Sequence, residues 1–256
     1  MRSRTVGPWS KLAGVVAGAL ALTALAVGPS YAANDAEIYV VQGLPGAAVD
    51  VSVDGHSVAK RVATAKIVGP FKVGVGTRTL TFMEKGAVVL RSTVTVAATS
   101  STDVVVHLPA QASGRPIVTT FKNDLSAVPR DKASVVVAHT AAVPPADIRV
   151  NDQVLFSNIA NGESLKLVVP VSTYRVTIVP TGETGPTILG PLDLTVKGGS
   201  LNRVYAVGDP DNKTMNVAVH VIAVDNAGSA KPHQVNTGTG GQAVGLQPAV
   251  FAHFLH

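Results

Sequence analysis

Three observations predict an all-β protein built as two tandem β-sandwich domains. The 256-residue chain is 46% hydrophobic but only 4% aromatic, so its core is drawn from Val, Ile, Leu and Ala, a β-branched palette that favours strands. Apolar and polar residues alternate over short stretches closed by Gly, Pro, Asn and Asp, the period of a half-buried strand. The pattern also occurs twice. Ala48-Val-Asp-Val-Ser-Val-Asp-Gly55 is echoed by Ala146-Asp-Ile-Arg-Val-Asn-Asp152, with Asp147 standing 97 residues (147 − 50) after Asp50. Asp54-Gly55 and Asn151-Asp152 fall where two-residue hairpin turns need positive φ.

The chain begins with a different kind of segment. Arg2, Arg4 and Lys11 precede an uncharged run from Leu12 to Val27, and Ser30-Tyr31-Ala32 supplies small residues at a cleavage site. Residues 1–32 therefore read as a secretory signal peptide cut after Ala32. A retained membrane anchor is the alternative, because the run is nearly long enough for a marginal span. Removing three cations and no acids lowers the formal charge from +5 to +2, which leaves no electrostatic footprint for nucleic acid. The absence of cysteine excludes disulfide stapling, thiol chemistry and thiolate metal sites, and is compatible with a bacterial origin.

In the first predicted domain, residues 33–122, strands are expected at Glu37–Gln42, at the hairpin beginning with Val49, and at Ile67–Val75, broken by Gly69-Pro70. Further strands follow at Thr77–Phe82, Ala87–Val96, Thr102–Leu108 and Ile117–Phe121. About seven or eight short strands with turns every eight to twelve residues is a sandwich pattern. The polar stretch Lys122–Lys132, with Pro129, marks the boundary. The second domain, 131–224, repeats the plan with Ser134–His139, the hairpin Asp147–Leu155, Ser164–Val169, Ser172–Ile178, Leu201–Val207 and Met215–Val224. Residues 225–256 read as a Gly-rich polar tail. Its apolar end, Ala249–His256, is far too short to span a bilayer.

These units, each a short strand, a Pro-containing turn and an Asp-Val-x-Val-Asp-Gly type hairpin, resemble domain-of-unknown-function family 4397 in two tandem copies, over about Glu37 to Val224. Val137-Ala-His139-Thr140 keeps the family's His in the second unit, Gln42 stands in its place in the first, and Asn151-Asp152 replaces Asp-Gly. The resemblance implies an Ig-like or transthyretin-like β fold in an exported bacterial protein of a kind common in actinobacteria. It carries no catalytic residues.

The search for chemistry is brief. Asp50 and Asp54 are spaced to share a strand face, as calcium ligands do, but turn chemistry alone requires only Asp or Asn, which the second unit keeps as Asp147 and Asn151. Asp209-Pro-Asp-Asn-Lys-Thr214 has the opening of a calcium loop without its Gly or distal Glu, and reads as a turn. The seven His, at 56, 107, 139, 220, 233, 253 and 256, form no zinc spacing. His139 is expected to hydrogen-bond a turn in its own unit. No G-x-S-x-G nucleophile turn is present, and Gly74-Val-Gly76 is too short for a phosphate cradle. Glycan stacking would draw on Tyr39, Tyr174 and Tyr205, because Phe71, Phe82, Phe121 and Phe156 occupy core positions and Trp9 leaves with the signal.

The expectation is an exported, non-enzymatic structural or interaction protein of the cell envelope or extracellular space, with no catalytic, cofactor or metal residues. Its two rigid domains in series would extend reach and permit bivalent contact with a macromolecular partner, and it would meet the membrane only through its signal. A glycan- or peptidoglycan-binding module is the alternative; a secreted hydrolase or metal-dependent adhesin comes third.

Overall fold

In the computed structural model the described residues are 35–225, so the signal segment 1–32 and all of the tail after Asp225 lie outside them. The fold is all-β, with four sheets forming two sandwich-like units. In the first half β1 (Ala36–Gln42), β4 (Ile67–Val73), β7 (Ser101–His107) and β8 (Ile117–Lys122) make one sheet, in the order β4-β1-β7-β8. The facing sheet, ordered β3-β2-β5-β6, uses β2 (Ala48–Val53), β3 (His56–Ala63), β5 (Gly76–Glu84) and β6 (Ala87–Val96).

The second half repeats this topology strand for strand. The order β12-β9-β15-β16 joins β9 (Lys132–Ala141), β12 (Ser164–Pro170), β15 (Ser200–Gly208) and β16 (Asn216–Ala223). The order β11-β10-β13-β14 joins β10 (Ala146–Val150), β11 (Gln153–Ile159), β13 (Thr173–Pro180) and β14 (Leu189–Thr195). Even the single parallel pairing recurs, β1 with β7 and β9 with β15.

Alternation explains most of the strands. On β2, Val49, Val51 and Val53 point inward with Ile38 and Val40 of β1, Leu80 and Phe82 of β5, and Val104 and Val106 of β7, giving the first sandwich one continuous core. Both hairpin turns have the expected left-handed residues, Asp54 and Gly55 at φ 48 and 82, Asn151 and Asp152 at φ 49 and 64.

Two strands depart from the sequence reading for a common reason. Gly69-Pro70 does not break β4, and Leu189-Gly-Pro-Leu-Asp-Leu-Thr195, unassigned by alternation, is β14. Each Gly-Pro pair sits beside a register shift with the neighbouring strand. Gly69 (φ 130) lies so close to β1 that a Cβ would stand 2.8 Å from the Ile38 carbonyl oxygen, and at Gly190 (φ 97) one would stand 2.5 Å from that of Val176. The glycine absorbs the bulge, and both strands lie at sheet edges, where Pro is tolerated.

The halves are not arranged in series. The sheets β4-β1-β7-β8 and β12-β9-β15-β16 pack on each other through the faces turned away from their own cores. Val41, Val105 and Phe121 meet Ala138, Tyr205, Val207 and Ala218 there. The result is four stacked β-layers with three cores. It accounts for strands β7 and β15, buried at every residue, a run expected of strands covered on both faces. Phe121 belongs to this middle layer and not to the core of its own sandwich.

Because the middle layer is a packed core, Phe121→Ala is expected to cost about 3–5 kcal/mol, the ordinary loss for a buried Phe. Urea denaturation followed separately in each half checks this: the midpoint should fall in both halves together, although Phe121 lies in one.

Candidate functional site

The paired aspartates are consumed by the backbone. Asp50 Oδ1 accepts from the amide of Arg61 (2.8 Å), and Asp147 Oδ1 from that of Asn158 (2.8 Å), so in each half the carboxylate holds a left-handed residue on the adjoining strand, φ 52 and 56. Asp147 is buried and also accepts from the Gly182 amide (2.9 Å). Asp54 turns to a different strand, accepting from the Thr79 amide (2.8 Å) and Arg78 (3.1 Å), and Asn151 does the same for the Arg175 amide (3.2 Å). Asp50 and Asp54 thus serve different neighbours and do not converge. Among the described residues no three His, Asp or Glu side chains gather as metal ligands. The Gly182 and Asn158 amides hold the Asp147 carboxyl below the usual carboxylate range, and the Thr79 amide with Arg78 does so for Asp54.

Asp209–Thr214 is a closed turn. Buried Asp209 accepts from the Asp211 amide (3.0 Å) and the Asn212 side chain (2.6 Å), while its own amide donates to Thr214 Oγ1 (3.0 Å).

His139 makes the expected contact with its turn, Nε2 lying 3.3 Å from the Pro144 carbonyl oxygen. In the first half Gln42 meets the matching Ala47 carbonyl (3.1 Å) and accepts from the Leu44 amide (2.9 Å). His107 is fully buried at the end of β7, between the Leu108 carbonyl (2.7 Å) and Thr119 Oγ1 (2.8 Å). Burial pushes its pKa down to about 4, so it is neutral near pH 7.

The most concentrated chemistry lies in the middle layer. Asp103 of β7, fully buried, accepts from Tyr205 (2.6 Å) and Asn123 (2.7 Å) and meets His220 Nδ1 at 2.9 Å. Arg203 of β15 donates from Nε to Asn123 Oδ1 (2.7 Å) and from a terminal nitrogen to the Lys122 carbonyl (2.5 Å). Its Nε is 4.0 Å from Asp103 Oδ2, and its guanidinium lies over the Phe121 ring at 5.5 Å. The Tyr39 ring packs on His220 with centroids 4.3 Å apart. Burial and the Asp103 charge raise the Tyr205 pKa well above its ordinary value, which keeps the phenol a donor.

Asp103 and Arg203 occupy equivalent positions in the two halves: Asp103 pairs with Tyr39 on β1 and Phe121 on β8, and Arg203 pairs with Val136 on β9 and His220 on β16. Matching faces of the two sheets therefore turn toward each other, with an acid on one side and a base on the other. Sequence reading passed over this cluster. Its signal was a charged residue inside a continuous apolar strand, in Ser101-Thr-Asp-Val-Val-Val-His107 and Leu201-Asn-Arg-Val-Tyr205.

Two concavities bear on binding among the described residues. A cavity of about 170 Å³ between the sheets of the second sandwich has no polar lining, and includes Ile148, Leu155, Phe156, Leu167, Val176 and Ala206 among its walls. Phe156, expected in the core, is a half-buried wall residue here. On the outer face of the β10-β13-β14 sheet lies a polar groove, lined by Arg149, Asp152, Arg175, Thr177, Thr184 and Thr187.

Residues 36–146 match the family model of a domain of unknown function, DUF4397. The match covers one copy, comprising the whole first sandwich, β9 and the first residue of β10. No curated protein matches the chain.

Arg203→Ala leaves the Asp103 carboxylate buried without its cation and is expected to cost roughly 3–5 kcal/mol. The double change Asp103→Leu with Arg203→Met should cost clearly less, and urea unfolding of the three proteins checks the order. Stability should also fall with acid in two stages. Unfolded His107 takes up a proton below about pH 6.5, but the folded imidazole resists it until about pH 4. Stability is therefore lost between those values, by on the order of 3 kcal/mol. Asp147 and Asp54, their folded pKa values lowered, contribute stability that is full above about pH 4 and lost as pH falls through the folded values. Thermal melts from pH 7 to 3 check this; burial lowers the pKa of His139 as well, so His107→Gln should reduce the upper stage and His107→Gln with His139→Gln should reduce it further.

Proposed function

We propose that the chain is an exported, non-catalytic structural or interaction module of the cell envelope or extracellular space, and that residues 132–223 are a second copy of the matched domain. The duplication is supported by the repeated strand order and parallel pairing. The equivalent roles of Asp50 and Asp147 at the bulge, and of Gln42 and His139 at the turn, support it further. The export reading rests on the sequence of residues 1–32.

The observation that carries the non-catalytic reading is how the buried polar side chains are used. Asp103, Asn123, Arg203 and Tyr205 bond chiefly to one another across the middle layer, and Asp147 and Asp209 to nearby backbone amides. Groups committed in this way hold the block together, and what the block offers a partner is its outer sheets and loops. Glycan binding is the second reading, favoured by the polar groove of Arg149, Arg175 and Thr177, which could take hydroxyl groups without an aromatic platform.

Co-sedimentation of residues 33–256 with purified bacterial cell-wall material, beside a chain ending at Val224, tests the reading. Retention of both places binding on the sandwiches, and competition by a defined saccharide with loss on Arg175→Ala assigns it to the groove. Retention of the longer chain alone makes the tail the wall-binding element. Absence of retention for both defeats the envelope reading.

A further inference from the structure

We propose that the space between the sheets of the second sandwich is a binding site for the hydrocarbon end of an acyl chain. The site differs from its counterpart in the first half in a directed way. At matched register positions on the central strands, Ile38, Leu80, Phe82 and Val106 of the first core are replaced by the smaller Val135, Val176, Ile178 and Ala206. Ile148 stands in place of Val51, and on the flanking edge strand Leu192 and Leu194 stand where the first half has the smaller Ser92 and Val94, so the space is opened on the central strands and not at that edge. The first sandwich is filled by one continuous cluster, whereas the second has two separate clusters with the cavity among them.

The edge differs too. Strands β3 and β4 touch along the side of the first sandwich, but β11 and β12 scarcely meet. Larger apolar side chains stand at that opening: Phe156 pairs with Ile148 where Ala59 pairs with Val51, and neighbouring Leu155 is 46% exposed while also lining the cavity.

The chemistry of the walls selects the ligand. Tyr174 directs its hydroxyl to the Pro170 carbonyl (2.9 Å), leaving its ring to the cavity, and no polar surface lines the rest. A space of this kind excludes water and accepts hydrocarbon; an apolar cavity of about 150 Å³ in another protein stays dry and binds benzene. The lining follows β13 from Tyr174 through Val176 to Ile178, about 13 Å along the strand. So long a space for its volume suits a single chain better than a compact ring, with the polar end of the molecule left at the Leu155 mouth. This site stands whether or not the protein resides in the envelope.

The test is titration of the full chain, carrying ¹³C-labelled Ile, Leu and Val methyl groups, with sodium octanoate and separately with benzene. The expected result is saturable, one-to-one octanoate binding that shifts the Leu155, Leu167 and Val176 methyl signals and raises the melting temperature. Ala206→Leu, which extends a wall residue into the space, should weaken octanoate at least tenfold. Leu155→Glu, at an exposed position, should do the same and decides the matter if the first variant does not fold. Absence of saturation, benzene binding without octanoate, equal shifts across the first sandwich, or unchanged affinity in Leu155→Glu would each overturn the proposal.

Discussion

The structure depends on what happens when two sheets are each asked to bury both faces. A strand covered on one side can leave its alternate residues in water. Strands β7 and β15 cannot, because the middle layer covers the faces that an isolated sandwich would expose. Apolar residues meet most of that demand. Asp103 and Arg203 are the exceptions, and each survives burial by having charge and hydrogen-bond partners supplied by the opposite half. The joint between the halves is therefore also the place where removing one side chain strands another.

How much of this was legible in the sequence follows from period. Strands with one wet face announce themselves, so β2, β5 and β13 stood out from their alternating residues, and the left-handed turns from Asp54-Gly55 and Asn151-Asp152. Asp54 and Asn151 were readable as turn formers, since Asp or Asn serves there. Asp50, which reads as a solvent-facing polar residue, and its counterpart Asp147 were not, because the Arg61, Asn158 and Gly182 amides that they hold come from other strands and loops. Nor was strand β14. Its Gly190-Pro191 imitates a turn, and only the neighbouring Val176 carbonyl, visible in three dimensions, shows why a glycine is wanted inside the strand.

The middle layer was harder still. A strand buried on both faces loses its period, so Thr102–Leu108 and Leu201–Val207 read as ordinary short strands, and two domains in series was the natural arrangement to infer. The cavity was invisible for another reason. Val135, Val176, Ile178 and Ala206 are as apolar as the residues they match in the first half, so patterning is unchanged while volume is lost. Hydrophobic pattern specifies which face is inside, and only summed side-chain volume specifies whether the inside is full.

Facing two matching sheet surfaces across one layer has a consequence for assembly. Two free copies of the first half meeting through this same face would bring Asp103 against Asp103, two like charges with no guanidinium between them. In this chain the matching position of the second half carries Arg203 instead, so the face that would repel itself between molecules becomes adhesive within one. Linkage in a single polypeptide thus sets the partner as well as the affinity: each half is made for its sister on the same chain, and is poorly suited to pair with its own kind.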